Sequence, residues 1–366
     1  MMKSSEVGHL RLLNQHITQP MFENPADVVA CLGAVQAQDY LGALWAVGLR
    51  MRQAVAGTIE QALADRTILR TWPMRGTLHF VTPADARWML KLLAPRILAS
   101  SARRMLQQYN IDDATLARSR ELFIGALQGG RQLTREGMYQ LLEAAHIPTA
   151  NQRGLQILWR VAQEGLICFG ARKGKQQTFV LLDEWAPAAR TLARDEALAE
   201  LARRYMTSHG PATLQDFVWW SGLTRADAQV GLELSKPHLA REVVDAQTYW
   251  LPQTMPAANG PLRNAYLLPN YDEYLVSYRN RNHVLAAAHS KHVITNNGML
   301  TASIIWEGQV AGTWKRALVK GSVAITPSLF APLSKAANRA YVAAAERYAA
   351  FLELPAGLGT QKDESL

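Results

Sequence analysis

The chain has 366 residues, with 39 Lys and Arg against 30 Asp and Glu, a formal net charge of +9, and 49% hydrophobic residues. That length suits two to three domains with substantial cores, and the composition excludes global disorder. No run of about 18 apolar residues spans a bilayer, and two cysteines, Cys31 and Cys168, are too few for a disulfide framework or a cysteine zinc site.

The segment Met1–Gln15 carries Lys3, Glu6, His9 and Arg11 with no long apolar core, which argues against a secretory signal. The expectation is a cytoplasmic, nucleoid-associated protein of bacterial type. Ten Lys and Arg against four Asp and Glu lie between Pro261 and Arg347, so most of the basic excess falls in one stretch. Such a stretch suits a polyanion-facing surface, with solubility charge as the alternative.

In chain order, Asn24-Pro25 offers an N-cap and an N1 proline. Val28, Val29, Leu32, Val35 and Ala37 follow at near-helical spacing. Thr58–Gln61 is a capping-box pattern opening a helix through Leu63. Thr77–Val81 alternates as a strand, with Thr77 and His79 on one side and Leu78 and Phe80 on the other. Thr82-Pro83 then opens a long helix through Arg104.

A second block has helices from Thr134 to Ala145 and from Asn151 to Gly165, the strand LICFG, the basic turn ARKGKQQ and the strand TFVLL. Helix, helix, strand, turn, strand is the order of a winged helix-turn-helix. A third block repeats it about 60 residues on. Its helices run from Asp195 to Gly210, from Thr213 to the WWSG segment and from Thr224 to Leu234, and its strands are Leu239–Asp245 and Thr248–Leu251. The first block reads as a divergent third copy.

The C-terminal part reads as β-rich over Tyr266–Tyr278, Gly298–Ala311 and Gly312–Ala324, with a turn at Glu307-Gly308-Gln309. A helix from Ser334 to Leu354 closes the chain, with Arg339, Glu346 and Arg347 facing water and a frayed tail from Pro355. The expected class is α+β, mainly α, divided into residues 1–130, 131–190, 191–255 and 256–366.

A winged helix can place one helix in a major groove and a basic wing on phosphates. Arg172, Lys173 and Lys175 suit the wing, although such modules also bind proteins. Four segments occur in order: Gln36-Ala37-Gln38, Arg75-Gly76-Thr77-Leu78-His79, Trp219–Leu223 and LLPNYDEYLVSYRNR, Leu267–Arg281. Together they resemble the winged-helix DNA glycosylase superfamily over about Leu10 to Leu354. Gln-aliphatic-Gln is similar to the AlkZ-like branch, whereas the YcaQ-like branch has Gln-aliphatic-Asp.

The resemblance implies tandem winged helices around a concave channel and monofunctional excision of N7-alkylated purines, with unhooking of interstrand crosslinks. It makes Gln36 and Gln38 the expected catalytic residues. N7-alkylation already makes the purine a good leaving group, so the site needs a positioned water and support for an oxocarbenium-like sugar more than a strong acid. A glutamine accepts from water and donates through its amide, but it is no general base at neutral pH. On a helix, residues two apart point about 200° apart. Either the motif sits at a helix end, or the two glutamines do different jobs. Asp39 is the neighbouring carboxylate, outside the family pattern.

Arg75 and His79 are expected on the DNA backbone, with a capped strand end and a satisfied histidine as the alternative; Trp72 and Met74 are expected to pack. Arg279 and Arg281 are expected phosphate contacts, and Asp272 or Glu273 is expected to pair with an arginine near the channel. His289 and His292, with His283 nearby, lack a defined third ligand, so no metal is expected. No nucleotide-binding or nucleophile-elbow motif is present, so neither a cofactor nor a lyase lysine is expected. The expected partner is double-stranded DNA with alkylated or crosslinked purines, engaged by a monomer away from membranes. The competing function is a non-catalytic winged-helix regulator, which predicts sequence-specific binding.

Overall fold

The computed structural model describes residues 2–255, 264–295 and 298–358. Backbone contacts divide the chain into two compact units. One gathers residues up to 60 with 199–220 and 224–366; the other holds 61–198 and 221–223. Compactness therefore groups the chain differently from four consecutive segments, because N-terminal helices share a core with the C-terminal sheet.

The unit built on 61–198 opens with a hairpin, Leu69–Met74 against Thr77–Val81. Arg75 and Gly76 turn it with φ of 54° and 70°, the paired positive values of a type I′ turn. Its first strand escaped the sequence reading because all six residues are buried, which erases the alternation. The long helix runs Pro83–Tyr109. Helices Asp113–Leu127, Arg135–Ala144 and Arg153–Gln163 then lead into strands Ile167–Phe169 and Thr178–Leu181, a winged-helix order. The Thr134 hydroxyl caps the second of these helices by accepting from Gly137 N at 3.2 Å. Strands lie in the order Thr77–Val81, Leu69–Met74, Ile167–Phe169, Thr178–Leu181, Leu133–Thr134, all antiparallel. Trp72 packs on Phe169 at 4.9 Å in the core, and Met74 is buried, as expected.

The other unit carries a second winged-helix order: helices Arg194–His209, Leu214–Ser221 and Arg225–Ser235, then the hairpin Leu239–Val244 with Gln247–Pro252. Residues from 199 onward, apart from 221–223, belong here. A five-stranded sheet follows in the order Ala356–Leu358, Ser322–Leu329, Gln309–Val319, Ser303–Trp306, Ala265–Leu268. Helix Lys335–Phe351 packs on it. Trp45 and Trp314 donate their indole N–H groups to the carbonyls of Leu267 and Leu268 at 2.6 and 2.8 Å.

Four expectations change. The helix from Pro25 stops at Leu32, because Gly33 adopts φ +78° beside the side chains of Trp220 and Arg204. Tyr266–Tyr278 is a strand only over Ala265–Leu268; Asp272 then caps a helical turn, Glu273–Val276. Arg347 does not face water: it lies over the Trp45 ring and donates to the Leu49 carbonyl at 2.7 Å. Ala356–Leu358 is no frayed end, since it pairs in parallel with Val323–Ile325; the tail from 359 on falls outside the described residues. Among the described residues no helix is long and apolar enough to cross a membrane.

Candidate active site

In Gln36-Ala37-Gln38, Gln36 ends a strand and Gln38 lies on a bend. Val35–Gln36 is a short strand, and Asp39 caps the helix Tyr40–Gly48 by accepting from Gly42 N at 3.1 Å. The motif therefore sits just ahead of a helix, so the 200° separation of helical neighbours does not apply to it. Gln36 is 8% exposed and Gln38 is exposed. The Gln36 amide oxygen is buried without a hydrogen-bond partner among the described residues. An acceptor left so costs about 1–3 kcal/mol.

Beneath the motif lies Glu273, fully buried. Its Oε1 accepts from the Gln36 backbone N–H at 2.8 Å, and its Oε2 accepts from Trp220 Nε1 at 3.1 Å and from the Ser277 hydroxyl. His209 Nε2 stands 3.5 Å from the same oxygen. A carboxylate there favours the Nε2–H tautomer; Nδ1 lies 2.8 Å from the Ser208 hydroxyl, which itself donates to the Arg204 carbonyl at 2.7 Å. Burial depresses the His209 pKa, with Glu273 opposing it, so the ring is neutral near neutral pH.

The expected pairing of one of the two adjacent carboxylates with an arginine is made by Asp272. It takes a two-pronged contact from Arg50, with both N–O distances 3.0 Å and both side chains fully buried. Arg50 also donates to Gln15 Oε1 at 2.9 Å, and Gln15 donates to the Tyr278 hydroxyl at 2.9 Å. Adjacent carboxylates on one turn diverge, so one seals the core and the other reaches the motif. Asp39 is occupied too: Asn270 Nδ2 donates to it at 3.0 Å and Arg316 lies 3.3 Å away. Its part is structural, holding the helix that follows the motif.

Arg279 is exposed and Arg281 half-buried; their guanidinium carbons lie 5.8 and 5.5 Å from the Trp219 ring. Trp219 is an exposed residue that the sequence reading left without a role.

The remaining expected contacts belong to the other unit. Arg75 lines a cavity of about 350 Å³ with Ser100, Ser101, Arg104, Gln156 and Trp159. His79 is fully buried, 3.4 Å from Arg75 through Nε2 and 3.0 Å from the Thr77 carbonyl through Nδ1. It supports Arg75 and has no edge in solvent to offer a phosphate, because the strand carrying it is covered on both faces. Lys173 and Lys175 are exposed on the wing, and Arg172 is half-buried, donating to the Lys175 carbonyl at 2.9 Å.

His289 stacks on Phe330 at 4.2 Å, while His283 contacts Ser4 and Tyr249. Among the described residues no cluster of three His, Cys, Asp or Glu could hold a metal. Burial pushes the Cys31 thiol up to about 11 and raises that of Cys168 further, which makes both poor nucleophiles.

The family model for DNA glycosylases of the AlkZ-like type matches residues 29–351. The chain belongs to the AlkZ-like DNA glycosylase family. Membership in this family makes the chain a DNA-acting enzyme and sets aside the non-catalytic regulator. The chain is 27% identical over 338 residues to a curated "Interstrand DNA cross-link repair glycosylase" of Streptomyces sahachiroi, covering 85% of each protein. Its fold is similar to the solved Streptomyces sahachiroi DNA glycosylase AlkZ, with a TM-score of 0.79 at 22% identity over 98% of this chain and 100% of that one. The Gln36 backbone N–H bond joins the motif to the buried carboxylate beneath it.

Proposed function

We propose that this AlkZ-like glycosylase hydrolyses the N-glycosidic bond of N7-alkylated purines in double-stranded DNA, and unhooks interstrand crosslinks made through the same atom. Gln36 and Gln38 orient the water and line the sugar side of the reaction. The observation that carries this reading is the buried, unpartnered amide oxygen of Gln36 on a backbone anchored by Glu273. That oxygen is placed to accept from a water, and its dipole favours positive charge developing on the sugar. A cationic leaving group needs no protonation, so two amides suffice where a stable base would demand an acid.

The enzyme acts without a lyase step, since water and not an amine attacks C1′. It works as a monomer. Lys173, Lys175 and Arg75 engage phosphates, as do Arg279 and Arg281. Leu318 and Val319, 60% and 52% exposed near the end of the hairpin Gln309–Leu329, suit an apolar wedge at a base step.

Single-turnover incubation with DNA carrying N7-methylguanine, or a nitrogen-mustard crosslink, tests this. The expected result is strand cleavage after alkali and none before it. No alkali-labile product above background on either substrate overturns the proposal, and cleavage without alkali overturns the monofunctional part.

A further inference from the structure

The WWSGL segment puts two tryptophans side by side on helix Leu214–Ser221, and the structure uses them differently. Successive helical residues diverge by about 100°, so one ring enters the core while the other leaves it. Trp220 is fully buried and donates to Glu273. Trp219 is 40% exposed, yet its position is fixed: Nε1 donates to the Val276 carbonyl at 3.0 Å. With its only polar edge satisfied inward, the part of Trp219 left in water is π-face and apolar edge.

Two cations lie over part of that ring, with guanidinium carbons 5.5 Å (Arg281) and 5.8 Å (Arg279) from its centroid. Arg281 is held by a bond from Nε to the Leu275 carbonyl at 2.6 Å. Arg279 projects from a backbone whose N–H donates to Asp216 Oδ1 at 2.9 Å, with Asn280 N–H on the same oxygen at 3.4 Å. Asp216 is buried, and its second oxygen accepts from Thr213, so its charge is spent inside the fold. A fixed, part-exposed indole with two guanidinium groups at hand matches a flat aromatic ring attached to anions.

The turn Glu273–Val276 ties this feature to the motif. Its first residue holds the Gln36 backbone, and its last holds the Trp219 indole. We propose that Trp219 is a stacking platform for an unstacked nucleobase of the DNA, with Arg279 and Arg281 on the phosphates beside it. This rests on reading the Gln36–Gln38 site as one that works on DNA. A base displaced near a bulky lesion loses its stacking, and the platform replaces it at a fixed position beside the motif.

The test uses the full chain and duplexes holding a tetrahydrofuran abasic analogue, with 2-aminopurine opposite it or on either side. Wild-type protein at saturation is expected to quench 2-aminopurine at one of these positions. Trp219→Phe keeps most of that quench. Trp219→Ala and Trp219→Leu abolish it and weaken binding about tenfold. Arg279→Ala and Arg281→Ala weaken binding with the quench intact at saturation. Two replacements of different size guard against a misfolded variant, and circular dichroism checks each.

Equal emission in wild type, Trp219→Ala and Trp219→Leu at all three positions overturns the platform, as does a variant that changes the oligomeric state instead of the emission. Excision of N7-methylguanine by wild type, followed in parallel, reports on the catalytic reading alone. Excision without any Trp219-dependent quench defeats only the platform.

Discussion

Around Glu273, charge is buried and matched: Arg50 meets Asp272, and Glu273 gathers N–H and O–H donors from Gln36, Trp220 and Ser277. On the wing between Phe169 and Thr178 the opposite holds, with Lys173 and Lys175 exposed. The first arrangement fixes geometry, because a charge removed from water tolerates only its own partners. The second supplies attraction, because a solvated cation can meet any phosphate along a backbone. The site proposed for bond cleavage and the surface proposed for polyanion binding thus follow different electrostatic rules. Substitutions in the first should change stability or rate; those in the second should change salt dependence.

The largest expected effect is on stability. Asp272→Ala strands Arg50 in the core and should cost about 3–5 kcal/mol in urea unfolding; a loss below 1 kcal/mol would show the pair to be dispensable. Next come the amides. Gln36→Ala and Gln38→Ala should each slow single-turnover excision about 100-fold, with DNA affinity nearly unchanged. An affinity loss that accounts for the whole effect would move the motif to the binding side of the contrast.

Glu273→Gln turns an amide N–H₂ toward groups that are themselves donors, and should cost about 1–3 kcal/mol of stability and slow excision as well. Normal excision by a destabilised variant would separate the carboxylate from the motif. His209 gives a pH signature. Its folded pKa lies below 6.5, so on acidification through 6.5 the unfolded chain takes up a proton before the folded one does. Stability then falls by at most about 1.4 kcal/mol per pH unit, and is fully present above that range. Thermal melts of His209→Gln should show a shallower slope between neutral and mildly acidic pH; His9, His16 and His283, whose pKa values are also lowered, keep part of it. The smallest effect is on the wing. Lys173→Ala and Lys175→Ala should each flatten the log-affinity against log-salt slope by about 0.9 without altering the excision rate at saturation. An unchanged slope would remove the wing from the DNA interface.

Much of the architecture was legible. Both winged-helix orders follow from capping residues such as Thr134 and Thr224, from helical spacing, and from short strands around polar turns. Errors fell where burial is complete. Leu69–Met74 showed no alternation because nothing on it faces water, and Tyr266–Tyr278 looked continuous because its strand and its helical turn are both apolar. The Gln36–Gln38 pair was legible only through its resemblance to a family, since two amides in a sequence carry no physical signal of their own. Its anchor was not legible at all: Gln36 and Glu273 lie 237 residues apart, and adjacent acidic residues look interchangeable in a linear reading.

Local chemistry in the chain was enough to set its helices, its turns, the exposed cations of its wing and the presence of the glutamine motif. Which of two neighbours does which task was decided by packing. Asp272 and Glu273 are equivalent as text, as are Trp219 and Trp220. Asp272 and Glu273 are both buried but meet different partners, and of the tryptophans only Trp220 enters the core, because side chains on a helical turn diverge in space while remaining adjacent in sequence.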